Sequence, residues 1–330
     1  MTIAVVILNW NGLQLLKQFL PDVCRFSEKA TIYVADNAST DSSVAYVQEN
    51  FPAVKIIQNA VNGGFAKGYN DALAHLSEDI FILLNSDVQV TPHWLDAFDD
   101  IFNKDEKVAC IQPKILDFKN PSKFEYAGAA GGFLDKFGYP YCRGRIFEVL
   151  EEDTGQYNNE TDIFWASGAC LAIRGKVYFE AGGLDEDYFA HQEEIDLCWR
   201  INNLGYKIVF TPNSSVFHVG GGTLDSLNPR KTYYNFRNSL YNLVKNVPSH
   251  QLVSTLLLRM LLDGVAGIQF LVSLKFNHFL AVLRAHLDFY SHLPELLQKR
   301  KEFSKKHTYY RRKSIIFDRY IRGITKYSDL

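Results

Sequence analysis

IFILLNSD, residues 80–87, is the stretch that decides the fold. A short unbroken apolar run that ends in a polar turn reads as a strand buried on both faces, the kind found in parallel sheets covered by helices. Working outward, the pattern recurs at AVVIL (4–8) before NWNG (9–12), at TIYVA (31–35) before DNAST (36–40), and at KIIQN (55–59) before NAVNGG (59–64). Amphipathic stretches near 13–26, 41–50, 66–77 and 93–103 fill the intervals, the second opening at the capping cluster Ser39, Thr40 and Asp41. This alternation predicts an α/β fold with a mostly parallel central sheet flanked by helices. Ligands bind such sheets outside the carboxyl ends of the strands, so the four polar clusters should converge on one crevice.

Further along, 110–150 is rich in Gly, Phe and Tyr and reads as irregular structure or hairpins, and 161–174 reads as two strand-like runs. An acidic loop then leads to a helix from about Gln192 to Gly205 and a strand at 207–211. From about 250 the chain turns helical and oily, but Arg259, Asp263, Gln269 and Lys275 interrupt it, so an amphipathic pair is expected rather than a membrane span. The expected division is a catalytic domain at 1–245 and a helical, basic extension at 246–330.

Hydrophobic residues at 47% and charged residues at 22% exclude disorder as the main state. Five cysteines, odd in number and without a CxxC pair, signal neither a disulfide framework nor a structural zinc site and suit a reducing cytosol. No basic region precedes the first apolar run, so no signal peptide is expected. The net charge of −2 conceals an asymmetry: residues 298–326 carry +9, leaving −11 elsewhere. Nucleic acid or an anionic membrane surface each answers to such a tail.

Each polar cluster has a chemical and a plain reading. Asp87, with Asn85 and Ser86, stands where a carboxylate can hold a hard divalent ion or merely cap a turn. Asp36 suits a base or ribose, or an N-cap. Gly63 and Gly64 permit close approach of a ligand to a helix start, or simply a turn. Six carboxylates, Asp185, Glu186, Asp187, Glu193, Glu194 and Asp196, stand among Tyr188, Phe189, His191 and Trp199. A carboxylate at that helix start could deprotonate a hydroxyl. His218 could ligate a metal or pack at a strand end. Arg237 suits a diphosphate or a salt bridge.

In order, VVILNWNG, VADNASTD, NGGFAKGYN, LLNSDV, ASGACLAIR, GGLDEDYFAHQEEIDLCWRINNLGYKI and FHVGGGT resemble a family 2 glycosyltransferase of GT-A fold, over about residues 3–223 and on to YYNFRN at about 240. The nearest likeness is the rhamnosyltransferase-like branch of bacterial surface polysaccharide synthesis. The resemblance implies an inverting transfer from a UDP- or dTDP-linked sugar to a glycan or lipid-linked acceptor. It puts Asn9, Asn11, Asp36, Asn62, Gly63, Gly64, Lys67, Asn70, Asn85, Ser86, Asp87 and Arg237 on the nucleotide sugar. Asp87 and His218 fall to Mg²⁺ or Mn²⁺, Glu194 to the catalytic base with Glu193 as its alternative, and Trp165, Ser167 and Gly168 to the acceptor side.

The sequence departs from the family pattern in two places: Asn85 stands where many relatives carry an Asp, and Glu194 where Asp is usual, moving the carboxylate by about 1.5 Å. A cytoplasmic enzyme is expected, with no nucleic acid partner. Its C-terminal helices are open to three uses: docking on the cytoplasmic face of the inner membrane, a homodimer interface, or a cap on the catalytic domain. Rival readings are an inactive scaffold in a polysaccharide assembly complex and, more distantly, a sugar nucleotidyltransferase. A dinucleotide oxidoreductase fails on the absent GxGxxG after the first strand.

Overall fold

The structure, a computed structural model, describes residues 1–220, 228–300 and 308–330. Gly221, Gly222 and Thr223 of the FHVGGGT motif and Lys301, Lys305 and Lys306 of the basic tail lie outside the described residues.

The first four strands are β1 (Ile3–Asn9), β2 (Thr31–Asp36), β3 (Lys55–Gln58) and β4 (Ile80–Asn85), joined by α1 (Leu13–Phe26), α2 (Ser43–Asn50) and α3 (Gly64–Leu73). They lie parallel in the order β3-β2-β1-β4. Successive side chains of a strand point to opposite faces. Ala4 and Val6 of β1, with Phe81 and Leu83 of β4, therefore enter one core. Ile3, Val5 and Ile7, with Ile80, Ile82 and Leu84, enter the other. Burial on both faces is why these strands read as continuous apolar runs.

Beyond β4 the sheet continues through β12 (Cys170–Arg174), β6 (Val108–Asp117), β13 (Lys207–His218) and β11 (Thr161–Ile163). Strand β12 is antiparallel to β4 and to β6, while β6 and β13 are parallel, so His218 ends β13 on the same edge where Asn85 ends β4. The short β5 (Val88–Val90) pairs with the end of β13, Val88 opposite His218. The irregular reading of 110–150 is corrected in its first part, where β6 is a ten-residue strand inside the sheet. Its Pro113 argues against a central strand, yet it sits where the β6–β13 register shifts between Thr211 and Ser215, and an irregularity of that kind tolerates a missing donor. The rest of the segment forms hairpin-like strands, β7 (Gly132–Leu134), β8 (Pro140–Cys142), β9 (Arg145–Ile146) and β10 (Val149–Leu150), in a small separate sheet. The strand expected at 207–211 runs on to His218.

Helices complete the molecule: α4 (Asp96–Lys104), α5 (Gly175–Glu180), α6 (Glu193–Leu204), α7 (Pro229–Asn246), α8 (Ser249–Val272), α9 (Phe276–Lys299) and α10 (Ile315–Tyr320). Helix α7 was not foreseen as an element; Asn228 caps it by accepting from Arg230 N at 2.9 Å, and Pro229 occupies its first position. By length and composition α8 is long and apolar enough to cross a membrane, although only 22% of its most apolar window is buried.

A buried ion network ties α7 to α6 and to the loop before it. Lys245 Nζ lies 2.6 Å from Asp185 and 2.7 Å from Asp196, and Arg200 pairs with Asp196 at 2.8 Å. Burial alone would raise the Asp185 carboxyl, but Lys245 and Lys299 hold it far below its ordinary range. Removing one partner strands buried charge. Lys245→Met should therefore destabilise the protein by about 3 kcal/mol in urea unfolding; wild-type stability would show that the network contributes nothing.

Candidate active site

Because β1, β2, β3 and β4 are parallel, their polar ends meet. Asn9 Nδ2 donates to Asp36 Oδ1 at 3.1 Å and to Ser39 Oγ at 3.2 Å, and Ser39 N donates to the second Asp36 oxygen at 2.9 Å. Asn11, at φ 49°, accepts from Thr40 N at 2.7 Å. NWNG and DNAST are therefore one hydrogen-bonded unit. Asn37, not singled out from the sequence, extends it: its Nδ2 donates to Asn62 Oδ1 at 2.9 Å and to Gly64 O at 3.0 Å. Ser86 joins from β4, since a Cβ on Gly12 would sit 3.8 Å from its Oγ. Trp10 stands on this rim, 53% exposed.

Gly63 and Gly64 start α3 as expected, and Gly64 has a positive requirement. Its φ is 82°, and a Cβ there would lie 2.4 Å from Phe189 O, the atom that accepts from Phe65 N at 2.9 Å. The glycine thus brings α3 against the loop that precedes α6. Asn70 is spent on the same junction: Tyr178 Oη and Leu184 N donate to its Oδ1 at 2.6 and 3.0 Å, and its Nδ2 donates to Leu184 O at 2.8 Å. Lys67 pairs with Asp71 at 2.9 Å and is half-exposed.

At the ends of β4 and β13, His218 lies between two carboxylates. Its Nε2 is 3.1 Å from Asp87 Oδ1 and its Nδ1 is 3.2 Å from Glu125 Oε2. Both contacts are at ion-pair distance. Burial opposes a charged imidazole, but the two carboxylates outweigh it and push the His218 pKa up to about 10. Asp87 shows the reciprocal effect: burial would raise it, and His218 holds it below its ordinary value. Glu125 lies within the segment read as irregular, and nothing near it in sequence points to a histidine so distant along the chain.

The acidic cluster divides by partner. Asp185 and Asp196 belong to the Lys245 network, Asp187 pairs with Lys299 at 2.7 Å, and Glu186 accepts from Asn70 at 3.1 Å. Glu193 and Glu194, in the first turn of α6, remain. Glu193 is buried, its Oε2 has no hydrogen-bond partner, and burial with the neighbouring Glu194 raises it well above the carboxylate range. Glu194 is half-buried, and burial pushes its pKa up to about 7 against the opposing backbone N–H groups.

The chain enters α6 through a run of left-handed residues, Phe189 (φ 61°), His191 (φ 70°) and Gln192 (φ 70°). Each such non-glycine residue costs on the order of 1 kcal/mol or more and persists only when its surroundings impose it. Here α7 imposes it. Asn238 Nδ2 donates to Ala190 O at 2.9 Å and His191 O at 2.7 Å, and Gln192 Nε2 donates to Asn235 O at 3.0 Å and Ser239 Oγ at 2.9 Å. Arg237 is part of this clamp: its NH2 donates to Asp187 O at 2.8 Å, its NH1 to Tyr233 Oη and its Nε to Asn238 Oδ1, both at 3.0 Å. All three nitrogens bond within the fold, so Arg237 positions the loop before α6.

The three expected acceptor-side residues separate. Gly168 is half-buried, and a Cβ on it would lie 3.8 Å from Glu194 Cβ and 3.1 Å from the Phe65 ring. Trp165 is buried against Gly132 and donates to Phe133 O at 3.0 Å, while Ser167 N donates to Gln112 Oε1 at 2.8 Å. Those two belong to the core. Asn85 N donates to Ala169 O at 3.0 Å, so the end of β4 that carries Asp87 adjoins the turn that touches Glu194.

Comparisons with known proteins bear on the family and the fold. The model of the family described as glycosyl transferase family 2 matches residues 4–171. The N-acetylglucosaminyl-diphospho-decaprenol L-rhamnosyltransferase of Mycobacterium tuberculosis is 26% identical over 62% of this chain and 71% of its own length. The rhamnosyltransferase WbbL of Escherichia coli is 20% identical over 65% and 82%. Among solved structures, GalNAc-T7 with UDP, GalNAc and Mn²⁺ superposes with a TM-score of 0.61 at 18% identity over 76% of this chain, which spans about half (49%) of that protein. Staphylococcus aureus TarS 1–349 in complex with UDP-GlcNAc gives 0.58 at 14% identity over 91% and 84%. The fold is GT-A.

The His218 pairing has a pH signature. A group whose pKa rises on folding, here from 6.5 to about 10, stabilises the fold fully below its unfolded value and loses that contribution as pH rises through the folded one. In chelator, wild-type stability should therefore fall between about pH 6.5 and 10 by more than that of His218→Gln. Parallel pH profiles in urea unfolding would contradict the pairing.

Proposed function

We propose a function from one premise: the chain belongs to glycosyl transferase family 2. In our reading it moves a hexose or deoxyhexose from a UDP- or dTDP-linked donor, with inversion, to a glycan or lipid-linked glycan in cell-surface polysaccharide synthesis. Residues 1–245 are the catalytic unit and 246–330 a helical extension. The cytoplasmic face of the inner membrane is its place of work. The named acceptor of the mycobacterial relative, a decaprenol diphosphate carrying N-acetylglucosamine, supports the lipid-linked acceptor.

One observation carries the reading. Glu194, in the first turn of α6 with a pKa of about 7, and Asp87, just past β4, are joined through the turn at 168–169 by the Asn85–Ala169 hydrogen bond and the Gly168–Glu194 approach. A base poised near the operating pH is the one best suited to proton transfer. Glu194 takes the proton of the acceptor hydroxyl, whose oxygen forms a bond to the anomeric carbon while the bond from that carbon to the diphosphate oxygen breaks on the opposite face. Glu193, buried at 4% exposure, is the less accessible of the two to an acceptor hydroxyl. Asn9 and Asp36, already organised by the β1 and β2 loops, would meet the nucleoside; the unpartnered Asn9 Oδ1 offers it a buried acceptor.

A divalent ion fits the donor set. Asp87 offers a hard carboxylate oxygen and His218 an imidazole nitrogen side by side, 3.1 Å apart at the end of the sheet. Among the described residues no three His, Cys, Asp or Glu side chains form a ready cage, which suits an ion completed by water and phosphate oxygens. Asp87 and His218 would hold it, and when bound it supplies charge neutralisation to the departing diphosphate. His218 must lose its proton to serve as a ligand.

Glu194→Gln should lower turnover by about 10²–10⁴-fold with nucleotide binding retained, and the wild-type rate should rise with pH through about 7. Near-wild-type turnover by that variant would remove Glu194 from the chemistry. Asp87→Ala should abolish transfer and the enhancement of UDP binding by Mn²⁺ in calorimetry; undiminished enhancement would overturn the metal assignment.

A further inference from the structure

Helix α8 is built inside out. Its buried positions, Thr255, Arg259, Asp263 and Gly267, recur every four residues on one face and include both of its charged residues. The opposite face, Val253, Leu257, Leu261, Val265, Ile268 and Val272, lies open, from 59% exposed at Leu257 to 79% at Val272. A helix packed on a soluble body normally shows the reverse. The register is set by specific partners. Arg259 Nε donates to Asp263 Oδ1 at 2.8 Å and its NH1 to Phe137 O at 3.1 Å, its guanidinium lies 3.9 Å from the centre of the Tyr139 ring, and Tyr139 Oη donates to Asp263 Oδ1 at 3.2 Å. His286 of α9 lies 3.3 Å from the second Asp263 oxygen.

The exposed apolar surface continues around the hairpin tip, through Leu274 and Phe276, and along α9 at Leu280, Leu283 and Leu287. At about 1.5 Å per residue each arm is some 36 Å long, far beyond the scattered apolar residues of an ordinary surface. We infer that the α8–α9 hairpin is a membrane-docking element that lays this face into the headgroup and acyl boundary of an anionic bilayer.

Three observations favour a lipid surface lying under the hairpin over the other occupants. A spanning α8 would leave its partners Phe137 and Tyr139 and carry Arg259 and Asp263 into hydrocarbon, which is costly. The tip exposes Leu274 and Phe276 on either side of Lys275, the pairing of apolar side chains with a cation that suits the boundary of an anionic bilayer. The segment that follows, 298–326, carries +9, and α10 within it exposes Phe317, Tyr320 and Ile321 beside Arg319 and Arg322. Both elements grip one turn: Asp135 Oδ2 accepts from Ile315 N at the start of α10, and Phe137 O accepts from Arg259. A second copy would bring like charge against this basic segment, while anionic lipid attracts it.

The inference rests on the proposed lipid-linked acceptor only for its purpose, since docking would bring Glu194 to such an acceptor. Its test is independent. The full chain should cosediment with phosphatidylglycerol-containing vesicles and less with phosphatidylcholine alone, and high salt should weaken the association. The double variant Leu261→Glu with Val265→Glu should bind these vesicles at least about tenfold more weakly yet bind UDP as the wild type does. Leu261→Trp should show a blue shift of its emission on the same vesicles. Absence of wild-type cosedimentation, equal binding by the double variant, or a homodimer that the double variant dissociates while vesicle binding is unchanged would each overturn docking. Loss of UDP binding in the wild type would instead count against the transferase reading.

Discussion

The grip of α7 on the loop before α6 is the interaction on which the site depends. Phe189, His191 and Gln192 occupy left-handed backbone conformations that none of them prefers. They are held there by amide and guanidinium groups of α7 acting on backbone carbonyls, with Gln192 itself bonded back to α7. The consequence is a helix whose first turn presents two adjacent glutamates, one sealed in the protein and one at its surface. Beneath this clamp, Lys245 neutralises Asp185 and Asp196, so the acidity needed for structure is kept apart from the acidity available for chemistry.

The second carboxylate centre is organised on different terms. Asp87 and Glu125 would repel each other across the end of the sheet, and the imidazolium of His218 sits between them. A proton there does part of what a divalent ion would do, holding the strand ends together before a donor arrives. Two of these side chains, Asp87 and His218, are those that would hold a divalent ion in the proposed reading.

Much of this was legible in the sequence because parallel strands buried on both faces leave a clear apolar run, as β1, β2 and β4 do, while the edge strand β3 (KIIQ) is only half-buried and reads from its place before a polar turn. What escaped has physical reasons. Strand β6 contains Pro113, tolerated only because β13 shifts register opposite it, a fact about a partner strand nearly a hundred residues away. Glu125 has no local pattern and acquires meaning from its contact with His218. Arg237 and Asn70 carry the right chemistry for a nucleotide sugar and also tie the loop before α6 to α7 and α3, a structural role that composition cannot reveal. Trp165 is similar: it and its neighbours Ala166 and Ser167 are core, while Gly168 lies half-buried beside Glu194. Helix α8 shows the converse, since its charged interruptions read as an argument for an ordinary amphipathic helix and turned out to mark the inward face.

The proposed placement of Glu194 as base on one face of the anomeric carbon, with the diphosphate leaving from the other, predicts a single displacement. The most direct measurement is the anomeric configuration of the first-formed glycoside, read by proton NMR with an α-linked nucleotide sugar as donor. Formation of the β-glycoside is the expected result; an α-glycoside formed by the wild-type enzyme would contradict the arrangement of base and leaving group described above.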